Sequence, residues 1–444
     1  MGGGILQLIA RGATDINLTG NPQITFFKSV YKRYTNFAIE EVLQTFDGEV
    51  SADEFTIDTK LNHSGDLLRK IWLEVDLPES PNGGNVNADF CNWVNGTGYA
   101  YIKKASLKIG TQEIDSQYSE WLDIWNEFTD IYRNETILVN KDLNSHAHFI
   151  GNTGSSVKKL KLYIPLKFWF CKNTGASLPL IALQYSDVKL NITFRSLNTL
   201  INAGKTSSEL SHLEDQTNLP DVKLYCEYIY IDKDERRKFS SSKHEYLIEQ
   251  VQKIGPIPVS KTIDLDFNHS VKEIIWVFRD KNRTEKKVNI SSNNTNIIKN
   301  IDGEVSVAGN DYFNYTSNHK NYEDYIGTNI SYEPFDKATI LFNNTERFPK
   351  RPATYFRMVQ PINFHSRVPD KNVYLYSFSF NPEYYQPTGC CNFTKLDAKL
   401  KFDDLSNQFE ESNANRMDII IFATNYNIYR ISNGVGALAY NNIV

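Results

Sequence analysis

Histidines and carboxylates occur at several places where their spacing could support metal chemistry. His244 and Glu245 begin a sequence that resembles the zinc-binding helix of metalloproteases. That helix needs a second histidine four residues after the first, because two imidazoles on one face hold the zinc, and Ile248 occupies this position. His146 and His148 lie close together in a Gly/Asn-rich stretch without an obvious third ligand. We therefore predict no metal site.

Other catalytic patterns are equally incomplete. The stretch from Gly434 to Ala439 fits a relaxed dinucleotide fingerprint, but we expect no full helix after it, and binding needs one. We find no phosphate-binding loop and no nucleophile elbow in the sequence. Asp403 and Asp404 are adjacent, so on a strand they face opposite sides. We predict no catalytic residues, no cofactor and no small-molecule substrate.

Length and composition indicate a globular protein with two cores. The 444 residues suit two domains of roughly 200 residues each. Aromatic residues reach 13%, with 25 Tyr and 26 Phe, which favours β-structure. The net charge of -5 provides no surplus of cations for phosphate backbones, so we expect no direct nucleic-acid binding. Five cysteines without metal-ligand spacing, no apolar span and no secretory signal favour a cytosolic protein with reduced thiols.

Apolar residues alternate with polar ones along the whole chain, which is typical of half-buried strands. The pattern is clearest from Val188 to Phe194 in the first half and from Leu396 to Phe402 in the second. Gly- and Pro-rich loops rather than long helices separate such runs, which favours antiparallel sandwiches or barrels. A weak internal repeat relates residues 162–194 to residues 374–402. We predict an all-β chain of two tandem antiparallel barrels.

The domain limits are predicted from polar stretches. We place the joint near Pro220, which gives a first domain at 27–219 and a second at 220–444. One short helix is predicted around Trp121 to Phe128 and another from Asp232 toward Val251, both capping barrel ends. The long Asn-rich loops, above all residues 280–334, are expected on one outward side.

Eight ordered segments carry a resemblance to a known family. The stretch LTGNPQITFFKSVYKRYTNFAIE from Leu18 to Glu40 resembles the opening of the major capsid proteins of nucleocytoplasmic large DNA viruses. Similar stretches begin at Tyr163, Ser177, Asp232, Phe267, Tyr374, Cys391 and Ala423. Two features depart from the family: Tyr185-Ser186 replaces a position that is often His, and residues 280–334 match nothing in it.

The resemblance implies two tandem eight-stranded jelly rolls and a homotrimer with the outline of a pseudo-hexagonal capsomer. Such capsomers would tile an icosahedral virion capsid that is assembled in the host cytoplasm. The implied partners are other copies of the chain, neighbouring capsomers, minor capsid and penton proteins, and the face of an inner membrane.

Residues 1–26 precede any core that could bury their apolar side chains. We predict an N-terminal arm that contacts partners on the inner side of the shell. The residues assigned to this contact are Ile5, Leu6, Leu8, Ile9, Asn21, Pro22, Phe26 and Phe27. The alternative is that Phe26, Phe27 and Tyr31 pack under the first barrel as core.

Two alternatives of function stay open. One is a membrane-shaping scaffold of the same fold. The other is a lectin-like receptor-binding surface protein, because aromatic residues of the 280–334 loop could stack on sugars. The same side chains could instead fold back onto the barrel. They are Tyr312, Phe313, Tyr315, Tyr322 and Tyr325. Many Asn-x-Ser/Thr sequons arise by chance in so Asn-rich a chain, and outer-surface glycosylation is predicted at Asn282, Asn293, Asn314 and Asn343.

Overall fold

The computed structural model describes residues 3–79, 90–141, 159–205, 218–281, 284, 296–300, 303–308, 311–315, 333–405 and 417–440. The chain divides into two compact units, Met1–Phe37 and Ala38–Val444. The first unit contains two helices, α1 (Gly3–Ile9) and α2 (Ala13–Thr19). The carboxylate of Asp15 accepts a hydrogen bond of 2.8 Å from the backbone N–H of Gly12 and so satisfies a donor at the start of α2.

The second unit is built mainly of strands. Its first eleven are β1 (Phe37–Gln44), β2 (Phe55–Lys60), β3 (Leu67–Leu77), β4 (Phe90–Trp93), β5 (Ile102–Ile109), β6 (Gln112–Tyr118), β7 (Leu160–Pro165), β8 (Leu178–Pro179), β9 (Val188–Phe194), β10 (Ile201–Lys205) and β11 (Asp221–Ile231). The helices among them are α3 (Thr97–Tyr101), α4 (Ser119–Thr129), α5 (Asn134–Leu138) and α6 (Trp169–Lys172).

The rest of the unit continues in the same manner. Its strands are β12 (His244–Pro258), β13 (Thr262–Asp264), β14 (Ser270–Asp280), β15 (Asn296–Asn300), β16 (Gly303–Ala308), β17 (Phe335–Phe342), β18 (Thr345–Glu346), β19 (Arg351–Pro352), β20 (Val373–Ser377), β21 (Cys391–Asn392), β22 (Ala398–Leu405), β23 (Met417–Ser432) and β24 (Val435–Leu438). Its helices are α7 (Lys233–Ser241), a π-helical turn (Tyr355–Val359) and α8 (Gln360–Phe364).

Two sheets enclose the core of the first barrel. Sheet A has the order β1-β11-β3-β7, with β8 beside β3, and sheet B has the order β2-β9-β5-β6. In sheet A, β3 pairs antiparallel with β11, β7 and β8. In sheet B, β9 pairs antiparallel with β2 and β5, and β5 with β6. The predicted alternation is seen in β9, where Val188, Leu190, Ile192 and Phe194 are fully buried because every second side chain faces the core.

Two further sheets form the second barrel in the same arrangement. Sheet C has the order β12-β23-β14-β20, with β21 beside β14 and β24 beside β23, and sheet D has the order β13-β22-β17-β18, with β19 beside β17. Each strand of sheets A and B therefore has a counterpart at the same place in sheets C and D. The repeat predicted from the sequence corresponds to β7–β9 and β20–β22. The prediction of an all-β chain of two antiparallel jelly rolls is confirmed.

The predicted joint near Pro220 is wrong by one strand. Val222 and Leu224 lie in β11, which pairs with β3 from Asp221↔Asp76 to Ile229↔Leu67. This strand therefore closes sheet A of the first barrel instead of opening the second. The physical reason is that the pairing partner of a strand is decided by long-range hydrogen bonding, which a local alternation does not report.

Sheet C is buried on both faces. Ile274, Trp276 and Phe278 of β14 point into the core of the second barrel, while Ile275 and Val277 between them join the core that also fills the first barrel. The same division holds along β23, where Ile419 and Ile421 face one core and Ile420 and Phe422 face the other. The outer face of sheet C thus packs directly against the first barrel.

The structure describes both predicted helices and part of the 280–334 loop, and it corrects the limit of the second helix. The first predicted helix is α4, and ten of its residues are buried. The second predicted helix ends at Ser241, and Val251 lies in β12. Part of the 280–334 loop, β15 and β16, forms a sheet with β10 and β4 in the order β15-β16-β10-β4, so the described part of the loop joins segments from both halves of the chain.

Candidate functional site: the N-terminal arm and the seam that joins the two barrels

The outer face of sheet C contacts β6, α4 and α6 of the first barrel, and we call this contact the seam. Trp121, Leu122, Trp125 and Phe128 of α4 recur at helical spacing and are buried. The ring of Phe422 on β23 lies 5.5 Å from that of Trp121. Such aromatic contacts bury large apolar areas and stabilise the packing of one barrel on the other.

Glu120 at the start of α4 is the most enclosed acid of the seam. Its carboxylate accepts hydrogen bonds from Arg279 of β14 at 2.6 Å and from Lys253 of β12 at 3.2 Å. Burial by itself would raise the pKa of Glu120, but Lys253 and Arg279 hold that pKa well below its usual range. The pairing makes an acid of the first barrel the counter-ion of two cations of the second.

One turn further along α4, two more buried acids share a lysine. Lys141 Nζ lies 2.7 Å from Asp123 Oδ1 and 2.6 Å from Glu127 Oε1, and all three side chains are almost fully buried. Burial opposes the ionisation of Glu127, yet Lys141 and Lys371 lower its pKa to about 2. Lys371 belongs to the second barrel and lies 3.2 Å from Asp123, so this cluster also crosses the seam.

A third ion cluster lies between α6 and sheet C. Glu249 of β12 accepts hydrogen bonds from Lys172 of α6 at 2.9 Å and from Lys272 of β14 at 2.5 Å. Burial would raise the pKa of Glu249, but the two lysines lower it to about 2. The Lys172 ammonium also lies 4.0 Å from the ring centroid of Trp125, a favourable cation–π contact.

His365 follows α8 and bridges two carboxylates. Its Nε2 lies 2.8 Å from Glu273 and its Nδ1 lies 2.9 Å from Glu383. Burial would lower the pKa of His365, but the two carboxylates raise it above its usual value. The ring stacks on Phe128 of α4 at 4.4 Å between centroids, so the imidazole is packed in the seam.

Polar contacts also join the strands on the two sides of the seam. Asp115 of β6 accepts a hydrogen bond of 2.9 Å from the backbone N–H of Val251 in β12. Burial raises the pKa of Asp115 to about 7, against this hydrogen bond and the charge of Lys172. The side chain of Gln250 donates to the carbonyl of Ile114. These bonds fix the position of β12 relative to β6.

The segment Asp311 to Tyr315 of the long loop is buried beside the seam. Tyr312, Phe313 and Tyr315 are nearly inaccessible, and the Tyr312 hydroxyl donates to the carbonyl of Thr199 at 3.1 Å. The guanidinium of Arg195 lies 4.7 Å from the centre of the Tyr312 ring. These aromatics fold back onto the barrel, as one of the two sequence interpretations predicts, and they offer no sugar-stacking surface. Tyr322 and Tyr325 lie outside the described residues.

The hairpin of β23 and β24 also binds the first barrel. The N–H of Tyr185 donates to the carbonyl of Gly434 at 2.9 Å, and the N–H of Gly436 donates to the Ser186 hydroxyl at 3.2 Å. A side chain at Gly436 would collide with the Tyr429 ring, so glycine is required for this approach. The glycine-rich stretch that resembled a dinucleotide fingerprint therefore serves packing.

The residues predicted to form the N-terminal arm are all exposed. Phe26 is 91%, Phe27 is 97% and Tyr31 is 81% accessible. Asn21 has a positive φ of 49°, which asparagine tolerates better than most residues. The remaining predicted arm residues are exposed too: Ile5, Leu6, Leu8, Ile9 and Pro22.

The predicted glycosylation sites divide into three groups. Asn343 is exposed at the turn between β17 and β18 and has a φ of 49°. Asn314 is only 3% exposed and its amide donates to the carbonyl of Asp311 at 2.5 Å, so the prediction of an outer-surface acceptor is wrong for this residue. Asn282 and Asn293 lie outside the described residues.

The arrangement as a whole can hold two barrels rigidly together. Within the part of the chain that the structure describes, no group of three or more His, Cys, Asp or Glu side chains could hold a metal ion, and no helix is long and apolar enough to cross a membrane. Sequence reasoning missed the charged residues of the seam, although the acids at 120, 123 and 127 on an otherwise apolar helix are a signal of buried pairing.

Two tandem jelly rolls with the same strand order, joined through a buried seam, define a double jelly-roll protein. Two family models match the chain, "Major capsid protein N-terminus" over residues 25–232 and "Large eukaryotic DNA virus major capsid protein" over residues 235–437. The chain belongs to this family of viral major capsid proteins. It is a structural component of the virion capsid, where it assembles with other copies of itself.

Individual relatives match this chain over its full length. The major capsid protein of Pyramimonas orientalis virus is 35% identical and that of Paramecium bursaria Chlorella virus 1 is 34% identical, each over 100% of both chains. Among solved structures, a quasi-atomic model of the PBCV-1 virus capsid matches 94% of this chain and 100% of its own at 29% identity and a TM-score of 0.70. The Faustovirus major capsid protein matches at 12% identity and a TM-score of 0.65, covering 95% of this chain and 94% of its own, which supports the fold alone.

Proposed function

We propose that the chain forms a homotrimer, a pseudo-hexagonal capsomer that tiles the icosahedral shell of a large DNA virus. The observation that carries this proposal is the repetition of one strand order in sheets A and B and again in sheets C and D. Two similar barrels in each of three chains present six similar edges, so a threefold ring can fill a sixfold position in a lattice. Closed rings of this kind are held by heterologous contacts.

Light scattering on the purified protein tests this proposal. A stable species of three times the 51.0 kDa chain mass, with a hexagonal outline in electron micrographs, is expected. Obligate interfaces of such trimers bury upward of roughly 2,000 Å², so the trimer should persist on dilution. A monomer at micromolar concentration would refute the proposal.

The N-terminal arm is proposed to bind inner-shell partners. Residues 1–26 expose apolar side chains at Ile5, Leu6, Leu8 and Ile9, and contiguous exposed apolar surface marks interaction sites. The partners we propose are minor capsid proteins, penton proteins and the inner membrane face, with assembly in the host cytoplasm. Deleting residues 1–26 should leave trimers intact and block shell formation; normal shells from the truncated chain would refute this role.

Glycosylation is proposed at Asn343, and at Asn282 and Asn293 by sequence alone. The side chain of Asn343 accepts a hydrogen bond of 2.9 Å from the N–H of Asp397 through Oδ1, and the residue remains exposed. Mass spectrometry of peptides from purified virions tests this, with Asn343→Gln as the control. An unmodified Asn343 peptide in mature particles would exclude the site.

We also propose that the chain performs no catalysis and binds no cofactor, nucleic acid or small-molecule substrate. The alternative of a membrane-shaping scaffold predicts absence from purified particles, whereas a capsid protein is abundant there. The lectin-like alternative loses support because Tyr312, Phe313 and Tyr315 are buried. A glycan-binding screen of the trimer should find no ligand.

A further inference from the structure

The packing inside one chain suggests how two chains pack. Within the chain, the outer face of sheet C is covered by α4, which follows β6, and by α6, which follows β7. Phe422 meets Trp121 and Glu249 meets Lys172 in this contact. Because each barrel has the same strand order, each of these surfaces has a counterpart in the other barrel.

The counterpart of the covered face is the outer face of sheet A, which is accessible. Trp72 of β3 lies at its centre, stacked on Tyr225 of β11 at 4.8 Å and tilted toward Tyr163 of β7 at 5.7 Å. All three rings are half-buried. On the edge strand β1, Ile39 and Leu43 are 48% and 52% exposed. The face thus combines three aromatic rings with two exposed aliphatic side chains, among charged residues of the same strands such as Glu74 and Lys223.

Ion pairs border the aromatic residues of this face. Lys161 lies 2.8 Å from Glu74, and Lys223 lies 3.0 Å from Asp221. Tyr and Trp are enriched in protein–protein interfaces, where they contact the partner beside paired charged groups. The face therefore has the chemistry of a contact surface for another protein.

The counterparts of the covering elements lie on the second barrel. The π-helical turn and α8 follow β18 and β19 as α4 follows β6, and a turn follows β20 as α6 follows β7. Whereas ten residues of α4 are buried, this pair of elements exposes apolar side chains to solvent. The exposed residues are Met358, Val359, Ile362, Phe380 and Tyr384.

We propose that the outer face of sheet A in one copy of the chain binds the Tyr355–Phe364 segment and the turn after β20 in a second copy. The contact repeats between chains the packing that joins the two barrels within a chain. One surface meets a different surface, so the contact is heterologous and can close a ring. The proposal rests on the trimer proposed above, and it names the surfaces that form it.

Two variants test the proposal, each altering one surface. The sheet variant is Ile39→Glu with Leu43→Glu, and the helix variant is Met358→Glu with Ile362→Glu. All four side chains are at least 43% exposed, so the monomer should fold and melt as the wild type does. Two carboxylates in place of apolar contact residues should weaken the contact by about 30-fold or more, and each variant alone should be monomeric where the wild type is trimeric.

Mixing the two variants gives the decisive result. The sheet variant keeps an intact helix surface and the helix variant keeps an intact sheet surface, so one contact can form but no ring can close. Light scattering of the equimolar mixture should show a heterodimer of twice the 51.0 kDa chain mass. A mixture that stays monomeric, or a variant that stays trimeric alone, would overturn the proposal.

A matched control distinguishes this surface from general surface effects. Tyr132, which precedes α5, and Ile137 within α5 are 81% and 83% exposed, and the variant Tyr132→Glu with Ile137→Glu should remain trimeric. Dissociation of this control to the same extent would also overturn the assignment. A wild-type chain that is not trimeric would instead refute the proposed function, so the two failures are distinguishable.

Discussion

The substitution Glu120→Gln should strongly destabilise the seam. Glu120 is fully buried and is the counter-ion of Arg279 at 2.6 Å and Lys253 at 3.2 Å. Glutamine has nearly the same shape, so little packing is lost, but both cations remain buried without their carboxylate. Breaking a buried ion pair in this way costs about 3–5 kcal/mol, and we expect the free energy of unfolding to fall by that amount at neutral pH.

The sign of the pH dependence follows from the low pKa of Glu120. A carboxyl group whose folded pKa is depressed stabilises the fold above its unfolded pKa, near 4.3, and this contribution is lost as the pH falls toward the folded pKa. The difference in unfolding free energy between wild type and Glu120→Gln should therefore be largest at neutral pH. It should shrink progressively below about pH 4.

Urea unfolding at fixed protein concentration, followed by tryptophan fluorescence, measures the effect. Trp121 on the same helix is a local reporter. The matched control is Glu54→Gln, because Glu54 pairs with Lys103 at 2.8 Å with both side chains more than a third exposed, and exposed pairs contribute less than about 1 kcal/mol. Adding Arg279→Met to Glu120→Gln should recover part of the loss. The reasoning is refuted if Glu120→Gln costs no more than Glu54→Gln.

Further predictions concern other seam residues. Because the pKa of His365 is raised in the folded state, the protonated ring stabilises the fold fully below about pH 6.5, and this contribution declines as the pH rises through the folded pKa. His365→Gln should therefore lower the free energy of unfolding more at pH 6 than at pH 9, as measured by urea titration. An equal loss at both pH values would contradict this. Because burial raises the pKa of Asp115 to about 7, the wild type loses stability as the pH rises from about 4 to about 7. The stability of Asp115→Asn relative to the wild type should therefore increase over this range and level off above it. A constant difference in melting temperature would show that Asp115 does not titrate. Phe422→Ala truncates a buried aromatic side chain and should lower the free energy of unfolding by about 3–5 kcal/mol. Phe380→Ala, at an exposed position, should leave the unfolding of the monomer unchanged. Calorimetric unfolding of the two variants measures this difference.

The local pattern of the sequence determines the strands and their inner faces. The alternation at residues 188–194 corresponds to β9 residue for residue, because a strand with one buried face must alternate. The count of two cores and the repeat of residues 162–194 in 374–402 could be predicted for the same reason. The ordered segments that resemble the family are local sequence features too, so they indicate the family without the fold.

Only the tertiary structure decided which surfaces meet. The strand Asp221–Ile231 has the same alternation whichever barrel it joins, and its pairing with β3 assigned it to the first. The acids of α4 are charged residues by sequence, yet their burial depends on Arg279 and Lys371, more than 150 residues away. Ile275 and Ile420 of sheet C point away from the core of their own barrel, and their apolar side chains pack in the core cluster of the first barrel. A sequence specifies each side chain, but long-range packing determines which side chain it meets.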